Sequence, residues 1–230
     1  KELMLSHNSN IVSKPWGYEY LCYENEHVGL WFLFIENGQQ TSLHCHPKKT
    51  TGLILLDGEV EISFLADKRT MKSVDKLMIR RGLFHSTKSL SDEGSFIFEI
   101  ETPVDKHDLV RLNDKYGRSS KPYEDSSFES AKNEDCLWIE EPKTGKINSY
   151  NFANCKLTIE NISSLDVIDD KKDDDVIVFL AGGMIRTIGD TSHCVTVPGD
   201  VGRANIVKRV ASQLDGLKPE TIIMTINKLD

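Results

Sequence analysis

The chain has 230 residues, 28 basic and 36 acidic, for a net charge of −8, a balance that disfavours nucleic acid and anionic membranes as partners. Hydrophobic residues make up 39% and charged residues 28%, as in an ordinary soluble globular protein with a real core. No apolar run approaches the roughly 18 residues of a membrane helix. The N-terminus lacks a signal-peptide pattern. Five scattered cysteines (Cys22, Cys45, Cys136, Cys155, Cys194) show no CxxC spacing, so reduced thiols in a cytoplasmic protein are expected.

In chain order, residues 1–13 are polar and read as a loosely held lead-in. KPWGYE at 14–19 bends at Pro15 and Gly17 and offers Trp16 and Tyr18 as anchoring surface, which predicts a plug at one end of a barrel. The apolar run VGLWFLFI at 28–35 has strand length. Residues 41–46 form the next strand. In it, His44 and His46 stand two apart, so both imidazoles leave one face. Strands at 52–56 and 59–65 flank a hairpin signal at Asp57 and Gly58. Further short strands are expected at 74–79, 86–89 and 95–101. In MIRRGLFHS at 78–86, His85 follows the turn at Arg81 and Gly82. Two imidazoles from one strand and one from a later strand make a candidate site for a divalent transition metal: zinc, iron, manganese or nickel.

Residues 119–135 have a linker or strap composition. Beyond them, strands are expected at 156–162, 176–180, 184–187, 194–197 and 221–226. The acidic run at 166–175 is interrupted by two lysines and reads as a solvated loop. Many short strands with almost no helical periodicity predict an all-β sandwich or barrel.

The stretch GQQTSLHCHPKKTTGLILLDG at 38–58 carries the G-x5-H-x-H signature of the cupin superfamily, and Gly82 with His85 matches that superfamily's G-x-x-H. The chain therefore resembles a cupin in which Thr51 takes the place of the usual glutamate ligand. KPWGYE, the histidine motif and DLVRLNDKYGR at 108–118 together resemble the isomerase domain of bifunctional mannose-6-phosphate isomerase/mannose-1-phosphate guanylyltransferase. Asp108, Arg111, Asp114, Tyr116, Gly117 and Arg118 match its closing motif in order. The departures are His44 for a glutamine, Lys49 for an arginine, Thr51 for a glutamate, Gly52 for a histidine and Arg80 for a proline. No glycine-rich phosphate loop precedes residue 14, so guanylyltransferase activity is not expected.

The resemblance implies a bicupin of two double-stranded β-helix (jelly-roll) barrels. A metal-binding barrel is expected at 12–118 and a degenerate one at 136–230, where FLAGG at 179–183 and VPGDV at 197–201 resemble cupin turns. His44, His46 and His85 would hold the metal, with water, Gln40 or Glu99 completing the shell. Lys48, Lys49, Arg80 and Arg81 are expected around the mouth, where they and Arg111 would bind an anionic sugar. Glu99 or Glu101 is the candidate base, and Lys49 joins Glu99 as a catalytic candidate. Isomerisation or epimerisation of a sugar phosphate or nucleotide sugar, in surface-glycan precursor metabolism, is the function implied. The alternatives are a three-histidine iron dioxygenase and a non-catalytic sugar-binding cupin. A homodimer is compatible with the sequence and not specified by it.

Overall fold

A computed structural model of the chain describes residues 11–118, 128–129 and 136–229. The first half contains β1 (Ile11–Lys14), β2 (Gly17–Glu24), β3 (Gly29–Ile35), β4 (Leu43–Cys45), β5 (Thr50–Asp57) and β6 (Glu59–Phe64). It continues with β7 (Lys68–Lys72), β8 (Lys76–Ile79), β9 (His85–Ser89), β10 (Ser95–Thr102), β11 (Val110–Asn113) and β12 (Phe128–Glu129). The second half contains β13 (Ile147–Phe152), β14 (Cys155–Ile162), α1 (Asp166–Asp169), β15 (Val176–Ala181), β16 (Met184–Ile188) and β17 (Thr191–Cys194). After these come β18 (Val201–Arg203), α2 (Ala204–Ala211), β19 (Gly216–Leu217) and β20 (Thr221–Lys228).

The protein is all-β, and its sheets are antiparallel. One sheet runs β12-β1-β2-β3-β10-β5-β8 and faces a second, β11-β4-β9-β6-β7, to form a jelly roll. A third sheet, β13-β14-β20-β15-β18, and a fourth, β17-β16-β19, build the second half.

Alternation along the strands explains the long apolar runs. In β3, Trp31, Leu33 and Ile35 face the jelly-roll interior with Leu53, Leu55 and Ile97. Leu30 and Phe32 face the other way, into a cluster with Ile54, Leu56, Phe98, Val178, Met224 and Ile226. The seven-stranded sheet is thus buried on both faces, which demands continuous rather than alternating hydrophobicity. Each fully buried Leu, Ile or Phe contributes about 1.5–3 kcal/mol, so this face-to-face packing joins the two halves through one shared core.

Several expectations are corrected. Residues 11–14 are a strand, not part of a lead-in, because Val12 pairs with Glu19 and, on its other edge, with Phe128. The rest of the expected strap at 119–135, and residues 1–10, lie outside the described residues. β8 starts at Lys76, since the Val74 N–H donates to Leu55 in a turn. The strand expected at 194–197 ends at Cys194, and β7, β13 and β18 had no forecast. The acidic run begins with the turn of helix α1, and the Asp175 carboxylate accepts from the Lys172 N–H at 2.9 Å. The helix α2 was not expected at all. Its Ala204, Val207 and Ala211 pack on Ile177, Phe179 and Ile223 and fill the inner face of the second half.

Candidate metal centre

The strand β4 lies between β11 and β9, with His44 opposite Arg111 on one side and opposite His85 on the other. Directly opposed residues share a face of the sheet, so His85, His44 and Arg111 form one cross-strand row, and His46 joins it two residues on. The ring centroids are 4.5 Å apart for His44 and His85, 4.9 Å for His44 and His46, and 5.5 Å for His46 and His85. One nitrogen from each ring lies within 4.8 Å of the others. Three ligands at about 2.1 Å from a common ion stand roughly 3.4–3.6 Å apart, so the nitrogens close on an ion by approaching one another by up to about an ångström.

Each ring is oriented by its Nδ1, which donates to a backbone carbonyl. The acceptors are Ser42 at 2.8 Å for His44, Asp108 at 2.6 Å for His46 and Leu83 at 2.9 Å for His85. This assigns the tautomer and leaves each Nε2 a bare lone pair. The His46 Nε2 is buried with no hydrogen-bond partner, an arrangement that costs about 1–3 kcal/mol unless something fills it. Burial, the neighbouring His85 and His46, and Arg111 hold the His44 imidazolium pKa well below the ordinary value. Burial first, and Lys49 next, lower that of His46 to about 3. His85 is also lowered by burial, against a carbonyl bond and Glu99 that raise it. Neutral rings with bare Nε2 atoms are what a divalent transition metal requires, and the residues fit one.

His44 and His46 open onto a cavity of about 60 Å³ lined also by Lys49, Glu99, Arg111 and residues of the β1–β2 hairpin, while His85 is not in its lining. That volume holds a few waters. Lys49 is 1% exposed and donates to Glu101, which is fully buried, and to the Asp105 carbonyl at 3.0 Å. The second oxygen of Glu101 accepts from the Trp31 indole at 2.8 Å. Gly29 stands opposite Glu101 on β3, and a Cβ there would come within 3.2 Å of the carboxylate. Glu99 and Glu101 share a face of β10. Glu101 is committed to Lys49 and Trp31, while Glu99 lines the cavity.

The expected mouth is not built as the sequence implied. Of the four cations, Lys49 alone lines the cavity; Lys48, Arg80 and Arg81 are exposed. The turn at 80–82 is stitched to the metal strand through the Gly82 N–H and the His46 carbonyl at 2.9 Å, which leaves both arginines on the outer side. Gln40 bridges Lys88 on β9 and does not line the cavity. Thr51 is wholly buried, with an unpartnered hydroxyl, and is also absent from the lining. Arg111 is in the cavity as expected.

The cations that do line it, besides Lys49 and Arg111, are Lys14, Lys106 and Arg118. Lys14, Trp16 and Glu19 come from KPWGYE, so this segment forms part of the cavity wall. Arg118 is held by a two-pronged bond to Asp114, at 2.7 and 3.0 Å. Asp108 accepts from the Lys48 and Lys49 N–H groups and, through its carbonyl, orients His46. Its match to DLVRLNDKYGR marked the residue, but not this role.

No protein-family model matches the sequence, and no curated protein matches it. Among solved structures, the chain is similar to KdgF from a Halomonas species, at 14% identity over 44% of this chain and 92% of that one, with a TM-score of 0.40. It is also similar to a double-stranded β-helix protein from Klebsiella pneumoniae, at 16% identity over 45% and 91%, with a TM-score of 0.38. A sugar phosphate isomerase of the cupin superfamily from Silicibacter pomeroyi aligns at 13% identity over 38% and 59%, with a TM-score of 0.36. Several of the similar structures, including the Silicibacter pomeroyi protein, are described as cupins.

Proposed function

We propose that the chain is a metal-dependent enzyme that isomerises or epimerises a small anionic sugar such as a sugar phosphate. The observation that carries this reading is the cluster of His44, His46 and His85 beside a cavity lined by two of these rings, the Glu99 carboxylate and several cationic side chains. A bound divalent ion supplies Lewis acidity toward carbonyl and hydroxyl oxygens. Glu99 takes the proton from the carbon beside the carbonyl and returns it to the neighbouring carbon, or to the opposite face of the same carbon. Lys49, positioned by its bond to Glu101, donates a hydrogen bond to the oxygen on which charge builds. Among the described residues the lining carries five cationic side chains and two acidic ones, a set of donors that suits an anionic substrate.

The test is metal analysis of protein purified without added metal, followed by incubation with a panel of sugar phosphates in D₂O. Deuterium appearing at carbon by NMR, lost in Glu99→Gln with metal content retained, is the expected result. Oxygen uptake with a thiol substrate would instead establish the dioxygenase reading that Thr51, in the carboxylate position, allows. Binding of a sugar phosphate without exchange would establish a binding module.

A further inference from the structure

The turn between β10 and β11 grips residues 46–49, the end of the histidine motif. It is closed internally: the Asp105 carboxylate accepts from the His107 N–H at 3.0 Å, and the Asp105 carbonyl from the Asp108 N–H at 3.3 Å. Four bonds from residues 46–49 then land on it. The His46 Nδ1 donates to the Asp108 carbonyl at 2.6 Å, and the Lys49 ammonium to the Asp105 carbonyl at 3.0 Å. The Lys48 and Lys49 N–H groups both donate to one carboxylate oxygen of Asp108, at 2.8 and 2.9 Å. Asp108 is 6% exposed, so a largely desolvated carboxylate makes these bonds, and its charge strengthens them.

Asp108 thus holds residues 46–49 through its carbonyl and its carboxylate at once. The carbonyl decides where the His46 ring points. The carboxylate decides where that carbonyl lies, because it fixes the turn against the backbone two and three residues beyond the ring. A separate bond, from the Gly82 N–H to the His46 carbonyl at 2.9 Å, fixes the backbone of His46 itself. The buried, unpartnered Nε2 takes its direction from these anchors. We infer that the Asp108 carboxylate is a positioning residue for the candidate metal centre, setting the affinity for a divalent cation by aiming His46 and not by acting as a ligand. A ligating histidine commonly bonds a carboxylate directly; here a carbonyl contacts the ring, and the carboxylate of the same residue acts one step removed. The inference deepens the proposed function and rests on its metal site, not on Glu99 or the sugar.

The probe is cobalt(II), titrated into the full chain after chelation has removed bound metal, and followed by its visible absorption. Asp108→Ala is expected to weaken binding by about 10–100-fold and to shift the absorption bands at saturation. Asp108→Asn keeps an acceptor at the same reach and loses only its charge, so a loss of about threefold and a smaller band shift are expected. Lys48→Ala keeps its backbone N–H and is expected to change neither. A substitution that merely loosens the fold lowers apparent affinity yet leaves the saturated spectrum unaltered, so the spectrum separates aiming from stability. Unchanged cobalt affinity in a folded Asp108→Ala protein, a loss with an unaltered spectrum, or equal losses in the two folded variants would each overturn the inference. Where Asp108→Ala does not fold, unchanged affinity and spectrum in Asp108→Asn have the same force. The expected cobalt pattern without deuterium exchange would remove the enzymatic reading and leave the role of Asp108 standing. Exchange with cobalt affinity unmoved by these substitutions would do the reverse, and no cobalt binding by the unsubstituted chain would overturn both.

Discussion

At His46 the two ring nitrogens are treated oppositely: Nδ1 donates to the Asp108 carbonyl, while Nε2 is buried and bare. Burial, with Lys49 next, lowers the ring's folded pKa to about 3, against about 6.5 in the unfolded chain. The unfolded chain therefore takes up this proton first as pH falls. In the metal-stripped protein, stability from this group is complete above about pH 6.5 and is lost progressively as pH falls toward 3. At pH 5 the loss is about 2 kcal/mol from His46, at 1.36 kcal/mol per unit. Urea unfolding at pH 7.5 and pH 5 measures it, and His46→Gln is expected to remove that share of the difference. An unchanged pH dependence in the variant would contradict the burial assigned to the ring.

The β1–β2 hairpin supplies Lys14, Trp16 and Glu19 to the cavity wall. Gly17 makes it possible: its φ is +143°, and a Cβ there would lie 2.0 Å from the Phe34 carbonyl oxygen. That oxygen belongs to the neighbouring strand β3, so it cannot swing away as a flexible side chain would. Gly17→Ala is expected to push β2 off β3 and to displace Lys14, Trp16 and Glu19 from the cavity. A loss of a few kcal/mol, seen as a fall in Tm of several degrees, is the expected size for a backbone effect of this kind. An unaltered Tm by calorimetry would show that the hairpin accommodates the methyl. The helix α2 gives the contrasting lesson. Eight residues are too few for an independent helix, and its inward face of Ala204, Val207 and Ala211 spans only about two turns. Packing against Ile177, Phe179 and Ile223 decides its form.

The whole molecule is held by the face that its halves share. Phe152 from the second half meets Phe32 at 4.9 Å and Phe96 at 5.1 Å, both edge to face. The Asn25 side chain donates to the Leu180 carbonyl at 2.9 Å, and Arg203 pairs with Asp75 at 3.1 Å, so polar contacts surround the apolar ones. Neither half keeps its buried face dry without the other. Thermal unfolding is expected to be one cooperative transition, with calorimetric and van't Hoff enthalpies equal. A chain cut after Arg118 is expected to aggregate, because it would expose the outer face of the seven-stranded sheet. Two resolved transitions, or a soluble monomeric fragment, would show that the halves are independent.

The three-histidine cluster was legible in the sequence because its information is local. Period-two spacing places His44 and His46 on one face, and the turn after β8 returns His85 to the adjacent strand. The strand content was legible for the same reason: apolar runs at 28–35 and 52–56 and a hairpin at Asp57 and Gly58 need only nearest-neighbour geometry. Which charges face the site was not legible, because it depends on strands far apart in the chain. Lys48, Arg80 and Arg81 neighbour the ligands in sequence, yet the turns that carry them point outward. Lys14, Lys106 and Arg111 are distant in sequence and arrive through pairing of β1 with β2 and of β11 with β4. Parity put Glu99 and Glu101 on the same face and could not separate them. Only the buried lysine and indole around Glu101, brought there by tertiary packing, leave Glu99 as the carboxylate that faces the cavity.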